Sequence, residues 1–392
     1  MPKLTSSTDV IVIGAGVHGA AAARGLAERG VTVRILEQAT IAAGPTGRSS
    51  AICRAYYTDP FLAACARVSI AEFTSGSLAG VAGFRRTGGV YLHGAAEAGD
   101  AGRVVERLTA AGGDFELIDP GQVGAIVHPD SPTRPVELAG IELAVWEPGA
   151  GHADPYLTTR ELLRQARVGR VVVEEHQRVV AVEPAAVGVQ VRCADGTSRV
   201  AGRVLIAAGP WTAPLAASVG VSLPLTVERH LVLICDGPRS TRVAPFVGDV
   251  PNGYYLRPEA GHVALAGSML PGTPADPDRV DERVSDGEQV ALLDPIAARF
   301  PHFLDVAPRG GWASVYDVSP DWQPVIGRIA ENVYVDAGTS GHGFKLAPAL
   351  GRHVADLVLD HDPASELARF APDRFARQTL LPAGFGDRRI IG

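Results

Sequence analysis

The run from Asp9 to Gln38, DVIVIGAGVHGAAAARGLAERGVTVRILEQ, leaves few folds open. An apolar strand, Val10–Ile13, meets a glycine turn, a helix-forming run and a second strand that closes on an acid. In a βαβ unit of this kind Gly14 makes the tight turn, Gly16 lets the backbone approach a pyrophosphate at the helix N-terminus, and Gly19 lets helix and sheet pack closely. Glu37 lies 23 residues beyond Gly14, in the window where a carboxylate accepts from ribose hydroxyls and repels a 2′-phosphate. A lone GxGxxG is satisfied by any glycine-rich turn. Here strand, helix, second strand and acid agree, so the segment is read as the holder of the ADP half of a dinucleotide.

A length of 392 residues exceeds one ordinary core and predicts two intertwined domains. The net charge of −7 and the absence of any Lys/Arg run argue against a nucleic-acid partner. Only MPKLTSSTD precedes the first strand, without an apolar signal core, and no uninterrupted apolar stretch could span a bilayer. A cytoplasmic location is therefore expected. Cys53, Cys65, Cys193 and Cys235 are scattered without CxxC or Cys/His spacing, so neither a metal site nor a disulfide framework is expected. Of the 36 basic side chains only two, Lys3 and Lys345, are lysines. Chemistry that needs an ammonium group inside the later motifs falls to Lys345.

Along the chain, a loop of small and polar residues (IAAGPTGRSSAICRAYYTDP) leads into a helix expected from Phe61 to about Gly80. Thr87–Gly94 reads as a strand and Ala101–Gly112 as an amphipathic helix. Asp154 followed by Pro155 signals a new helix start. Asp195–Gly196 marks a hairpin turn ahead of a buried strand, Val204–Ala208. From Pro224 to about Pro320 long strands with proline-rich joins suggest a separate antiparallel sheet, with a helix around Glu288–Phe300. The strand NVYVDAG, the SGHGFK turn and a helix expected over Ala347–Leu359 return to the texture of the first unit. The expected fold is α/β: a discontinuous nucleotide domain (1–85, 141–223 and 320–392) with an inserted antiparallel-sheet domain (86–140 and 224–319).

The βαβ unit alone could serve NAD or FAD. GPTGRSSAICR directly after it, VLIAAGPWT at Val204–Thr212 and DAGTSGHGFK at Asp336–Lys345 favour FAD. With these motifs the chain resembles the D-amino-acid oxidase superfamily, in the sarcosine oxidase and dimethylglycine dehydrogenase branch, from Asp9 to the terminal ARFAPDRF. SGHGFK is the most specific element. The resemblance implies a glutathione-reductase-type, Rossmann-like FAD domain, roofed by the inserted sheet, that oxidises amines to imines by hydride transfer to flavin. It assigns cofactor contacts to Gly14, Gly16, Val17, His18, Gly19, Glu37, Gln38, Arg48, Ser49, Ser50, Ala51, Val179, Gly209, Trp211, Gly338, Gly341, His342, Gly343, Phe344 and Lys345.

A substrate carboxylate needs a fixed cation, and a guanidinium offers bidentate geometry. The resemblance gives that role to Arg54, with Lys345 as second cation. A surface salt bridge for Arg54 and a flavin-contacting or solvated Lys345 are the bland alternatives. Tyr255 and Tyr316 resemble pocket tyrosines, or else are sheet aromatics. His342 sits at the flavin ring or braces its turn. Backbone N–H groups of Gly341–Phe344 would stabilise charge on the reduced ring.

Three departures from the resembled pattern matter. Ser314 stands where some sarcosine oxidases carry a flavin-linking cysteine, so FAD is expected to be non-covalent. Leu265 stands where an oxygen-activating lysine is found. That leaves oxygen, through Arg257, His262 or a water, or an unidentified acceptor to take the electrons. Met269 replaces a pocket histidine, which turns the expected substrate from sarcosine toward a bulkier or cyclic secondary amine. Two alternatives stay open: an FAD enzyme acting on a 2-hydroxy acid with His342 as base, and a flavoprotein subunit of a multi-subunit complex. The oligomeric state has no sequence signal.

Overall fold

A computed structural model describes residues 8–238, 242–361, 364–382 and 384–385. The strand Thr8–Ile13 lies inside an eight-stranded sheet, parallel to Ser198–Ile206 on one side and to Val33–Leu36 on the other. Val171–Glu174 continues the parallel order beyond Val33–Leu36. Val333–Ala337 pairs in parallel with residues 204–206 of the long strand. These strands read as near-continuous Val/Ile/Leu runs because helices cover the parallel part of the sheet.

Three helices lie close together around the first glycine turn: Val17–Glu28, Pro155–Arg167 and Gly343–Val358. Small residues set the spacing of the first and last. A Cβ on Gly351 would fall 2.4 Å from the Ala21 carbonyl carbon, so any side chain there would push the two helices apart. Arg24, buried at this contact, donates to the Pro348 carbonyl at 2.9 Å and pairs with Glu72 at 2.7 Å. A buried guanidinium persists here because its carboxylate partner is buried with it.

A nine-stranded sheet runs from Thr273–Pro274 through Thr226–Asp236, Ala264–Ser268, Tyr254–Pro258, Phe246–Asp249, Gly89–His93 and Leu143–Glu147 to Glu116–Ile118; Ala307–Val318 also pairs with Thr226–Asp236. Leu143–Glu147 thus runs beside Gly89–His93, on the other side of the boundary expected at residue 141. Directly paired residues share a sheet face, as do residues two apart. Through the pairs Glu147↔Gly89, Tyr91↔Gly248, Gly248↔Tyr255, Arg257↔Leu265, His230↔Ser314 and Glu228↔Tyr316, the same face carries Glu147, Tyr91, Tyr255, Arg257, Leu265, His230 and Tyr316. That face meets the loop after Val33–Leu36. Trp312 Nε1 donates to the Arg48 carbonyl at 2.7 Å, and Arg257 Nη1 to the Ser50 carbonyl at 2.7 Å.

The helix signalled by Asp154 begins at Pro155, with Asp154 accepting from the Leu157 N–H at 2.8 Å. The Asp195–Gly196 turn joins Val189–Cys193 to Ser198–Ile206. Other bounds move. The second helix is Pro60–Thr74 rather than 61–80, ending where Gly76 and Ser77 begin a turn, and the third starts at Ala95 rather than Ala101. The last long helix starts at Gly343, not Ala347, so Lys345 belongs to its first turn and Pro348 lies inside it. Among the described residues, no helix is long and apolar enough to cross a membrane.

Candidate active site

A cavity of about 370 Å³ opens at the carboxyl ends of the parallel strands, where ligands bind in sheets of this type. Gly14, Gly16, Val17, His18, Glu37, Gln38, Arg48, Ser49, Val179, Gly209, Trp211, Tyr316, Gly341, Gly343 and Phe344 line it. Gly14 has φ of 103° and a Cβ there would fall 2.4 Å from the Ala207 carbonyl oxygen, so both the turn and the packing demand glycine. Glu37 accepts from the Ala15 N–H with one carboxylate oxygen and from the Ala39 N–H with the other, each at 2.8 Å. These two bonds fix the carboxylate in the wall and leave acceptor sites for hydroxyls. Gly19 does not line the cavity; it serves packing, with a Cβ meeting the Gly14 carbonyl oxygen at 2.0 Å. Thr46, which the sequence did not single out, lines the cavity and accepts from the Val17 N–H at 3.2 Å through Oγ1.

His18 joins three elements. Its Nδ1 faces both Asp336 carboxylate oxygens at 3.0 Å and its Nε2 faces the Gly343 carbonyl at 3.1 Å. Burial works to lower its pKa, but the charge and hydrogen bond of Asp336, with Asp317 and the Gly343 carbonyl, prevail and raise it. Asp317 accepts from the Gly338 N–H at 2.6 Å, and burial pushes its carboxyl up to about 6. Gly338 therefore acts through this bond rather than at the cavity wall.

Arg54, Tyr255, His342 and Lys345 lie outside the cavity lining. Arg54 (4% exposed) and Lys345 (6%) are buried against one aromatic ring: Arg54 Cζ lies 4.7 Å and Lys345 Nζ 5.6 Å from the Tyr57 centroid. Arg54 also donates to the Tyr56 carbonyl. His342 packs on Tyr57 with ring centroids 5.9 Å apart, and both its ring nitrogens are buried without a hydrogen-bond partner. Burial, then Lys345 and Arg54, hold its pKa well below the usual histidine range. Burial, then Arg54, likewise push the Lys345 amine well below the usual lysine range. Surface pairing for Arg54 and solvation for Lys345, the bland alternatives, do not describe these two buried side chains.

Glu147 is a buried carboxylate near Arg54. It accepts from the Ala55 N–H and the Tyr91 hydroxyl, both at 2.6 Å. Nothing in WEPG marks it in sequence, because its partners arrive from strands and loops distant along the chain. Tyr255 donates to Ser50 Oγ at 3.2 Å, and Gly267 opposite it makes room for the ring: a Cβ there would fall 2.4 Å from it. Tyr316 stacks on His230 with centroids 4.1 Å apart. Ser50 and Ala51 belong to the loop that the sheet grips, outside the cavity lining. Arg257 is already engaged by Glu259, the Ser50 carbonyl and Nδ1 of His152, whose pKa burial lowers to about 4. His262 is half-exposed and pairs with Asp236 at 3.3 Å, and Leu265 is buried across from Arg257.

A strand–turn–helix of the nucleotide-binding type with a fixed acid, beside a tyrosine-bearing sheet face and the buried Arg54 and Lys345, defines a dinucleotide-dependent oxidoreductase. Residues 9–357 match the family model described as FAD dependent oxidoreductase, and the chain belongs to that family. Its cofactor is FAD, and the glycine cradle, Glu37 and the first-turn N–H groups fit the ADP half of that group. Monomeric sarcosine oxidase from Streptomyces avermitilis is 28% identical over 95% of this chain and 99% of its own length. The bovine FAD-dependent oxidoreductase domain-containing protein 1 is 33% identical over 44% of this chain, which spans 39% of that protein. Among solved structures, L-proline dehydrogenase from P. horikoshii superposes with a TM-score of 0.86 at 24% identity, covering 96% of this chain and 100% of that one. That likeness concerns the fold.

Proposed function

We propose that this protein oxidises the C–N bond of a carboxylate-bearing amine, an amino acid or an N-alkyl or cyclic secondary amine, to the imine. The observation that carries the reading is the pair of buried cations, Arg54 and Lys345, on the Tyr57 ring beside the face holding Tyr255 and Tyr316. A guanidinium and a lysine amine held buried on one ring suit a single carboxylate, and burial strengthens the grip. Bound FAD supplies the hydride acceptor. The chain's own residues hold and orient: Arg54 and Lys345 grip the carboxylate, and Tyr255, fixed by Ser50, lends a hydroxyl. A buried Met269, in the same apolar cluster as Tyr255, favours a bulkier or cyclic secondary amine over sarcosine.

Oxidation of a 2-hydroxy acid would require a base to take the hydroxyl proton. His342 is poorly suited, since burial and two neighbouring cations oppose protonation of its ring. Leu265 is apolar and buried and Arg257 is already paired with Glu259, so neither would offer a free cation to activate oxygen, which suits another electron acceptor. Four free cysteines suit a reducing compartment such as the cytoplasm.

The test is product chemistry. With an artificial dye as acceptor, turnover of a secondary-amine amino acid should release one carbonyl product per dye reduced. Dye reduction by 2-hydroxy acids alone would transfer the assignment to the C–O bond. Activity that appears only when a partner protein is added would favour the subunit reading.

A further inference from the structure

Lys345 is the single lysine among the described residues, and no ion pair among them includes it. Among the described residues, the titratable groups around it are Arg54 and Cys53 from the strand Ile52–Cys53 and its continuation, Tyr57 beyond them, Glu147 from Leu143–Glu147, and His342 on its own turn. Arg54 is the strongly opposing neighbour. The nearby carboxylate, Glu147, has both oxygens committed to Ala55 and Tyr91. A buried amine beside a guanidinium, with no carboxylate of the described residues in ion-pair reach, gains nothing from holding a proton. The downward shift of its pKa agrees with that geometry.

The arrival of a substrate carboxylate reverses the balance, because a counter-ion then sits against Nζ. Amino acids carry an ammonium at neutral pH, whereas hydride loss from the adjoining carbon needs the free amine, whose lone pair becomes the new C=N bond. We propose that Lys345 rests as a neutral amine and takes the ammonium proton of the zwitterionic substrate as its carboxylate docks. The substrate N–H bond breaks and leaves its electron pair on nitrogen; the Nζ lone pair forms the new N–H bond. Positive charge moves from substrate to Lys345, where it faces the carboxylate, and no proton is exchanged with solvent. The pocket thereby both grips the substrate and converts it to its oxidisable form. This inference rests on the amine reading above and deepens it.

The test uses the FAD-loaded enzyme and two ligands that cannot react: isobutyrate, which has no amine, and 2-aminoisobutyrate, which has no α-hydrogen. Titration calorimetry at mildly alkaline pH, in two buffers of different ionisation enthalpy, counts the protons exchanged on binding. Isobutyrate should draw about one proton from the buffer per site, and 2-aminoisobutyrate about none, because it carries its own. In Lys345→Arg, whose side chain is always charged, uptake with isobutyrate should vanish while binding persists. Isobutyrate binding without uptake in the native enzyme would overturn the inference and leave the proposed function intact. Uptake that persists in Lys345→Arg would overturn the assignment to Lys345. If neither ligand binds, the carboxylate grip fails and the proposed function fails with it.

Discussion

Arg54 and Lys345 sit in unlike sequence settings, ICRAYY and SGHGFK, yet share one aromatic ring. Resemblance named both of them, but Tyr57, the ring that unites them, has no signal in the sequence beyond two adjacent tyrosines. Glu147 was equally silent. A carboxylate becomes informative only once burial and its two donors are known, and those donors lie at positions 55 and 91. If Arg54 holds the substrate carboxylate, Arg54→Met should lower kcat/KM by about 10- to 100-fold, the worth of a charge-assisted hydrogen bond. The loss should fall mainly on KM, which steady-state rates on a carboxylate substrate would resolve; an unchanged KM would remove Arg54 from the grip. Ser314 lines the cavity where a flavin-linking cysteine would stand. Acid precipitation should therefore leave all the yellow colour in the supernatant, and colour retained in the pellet would reveal a covalent link through another residue.

Between elements, the βαβ unit was legible because its signals are local: an apolar strand, a glycine turn, and an acid at a fixed distance. The helix Gly343–Val358 starts four residues before the position that its sequence suggests. Pro348 reads as a first-turn proline, yet here it lies in the helix interior and its carbonyl is held by Arg24. The strand Leu143–Glu147 shows the same limit from another side, since pairing with Gly89–His93 is a long-range choice that composition does not announce. His18 ties the first helix to the strand Val333–Ala337 and to the start of the last helix. With both ring nitrogens facing acceptors, it holds best when protonated. Its raised pKa means this contribution is fully present below the ordinary histidine value of 6.5 and is lost as pH rises through the folded-state value. The melting temperature of the native protein should therefore exceed that of His18→Asn at pH 6, with the gap narrowing toward pH 9. A gap that is constant or widens with pH would contradict the charged clasp.

At the scale of the whole molecule, two sheets meet at one loop, and the site lies where they meet. The first sheet carries Glu37 and the first glycine turn to the cavity wall; the nine-stranded sheet, antiparallel except where Phe246–Asp249 runs parallel to Gly89–His93, turns Tyr255, Tyr316 and Glu147 to the same side. The long strands of the second sheet are signalled by the change of texture after Pro224. The meeting itself is not, because Trp312, Arg257 and Tyr255 reach residues 48–50 across more than two hundred positions. The most direct measurement is an anaerobic titration of the yellow protein with N-methylalanine and, separately, with lactate, which puts a hydroxyl where the amine stood. Bleaching of the visible flavin band by N-methylalanine and not by lactate is the result predicted, with slow return of colour when air is admitted. Bleaching by lactate and not by the amine would contradict the account.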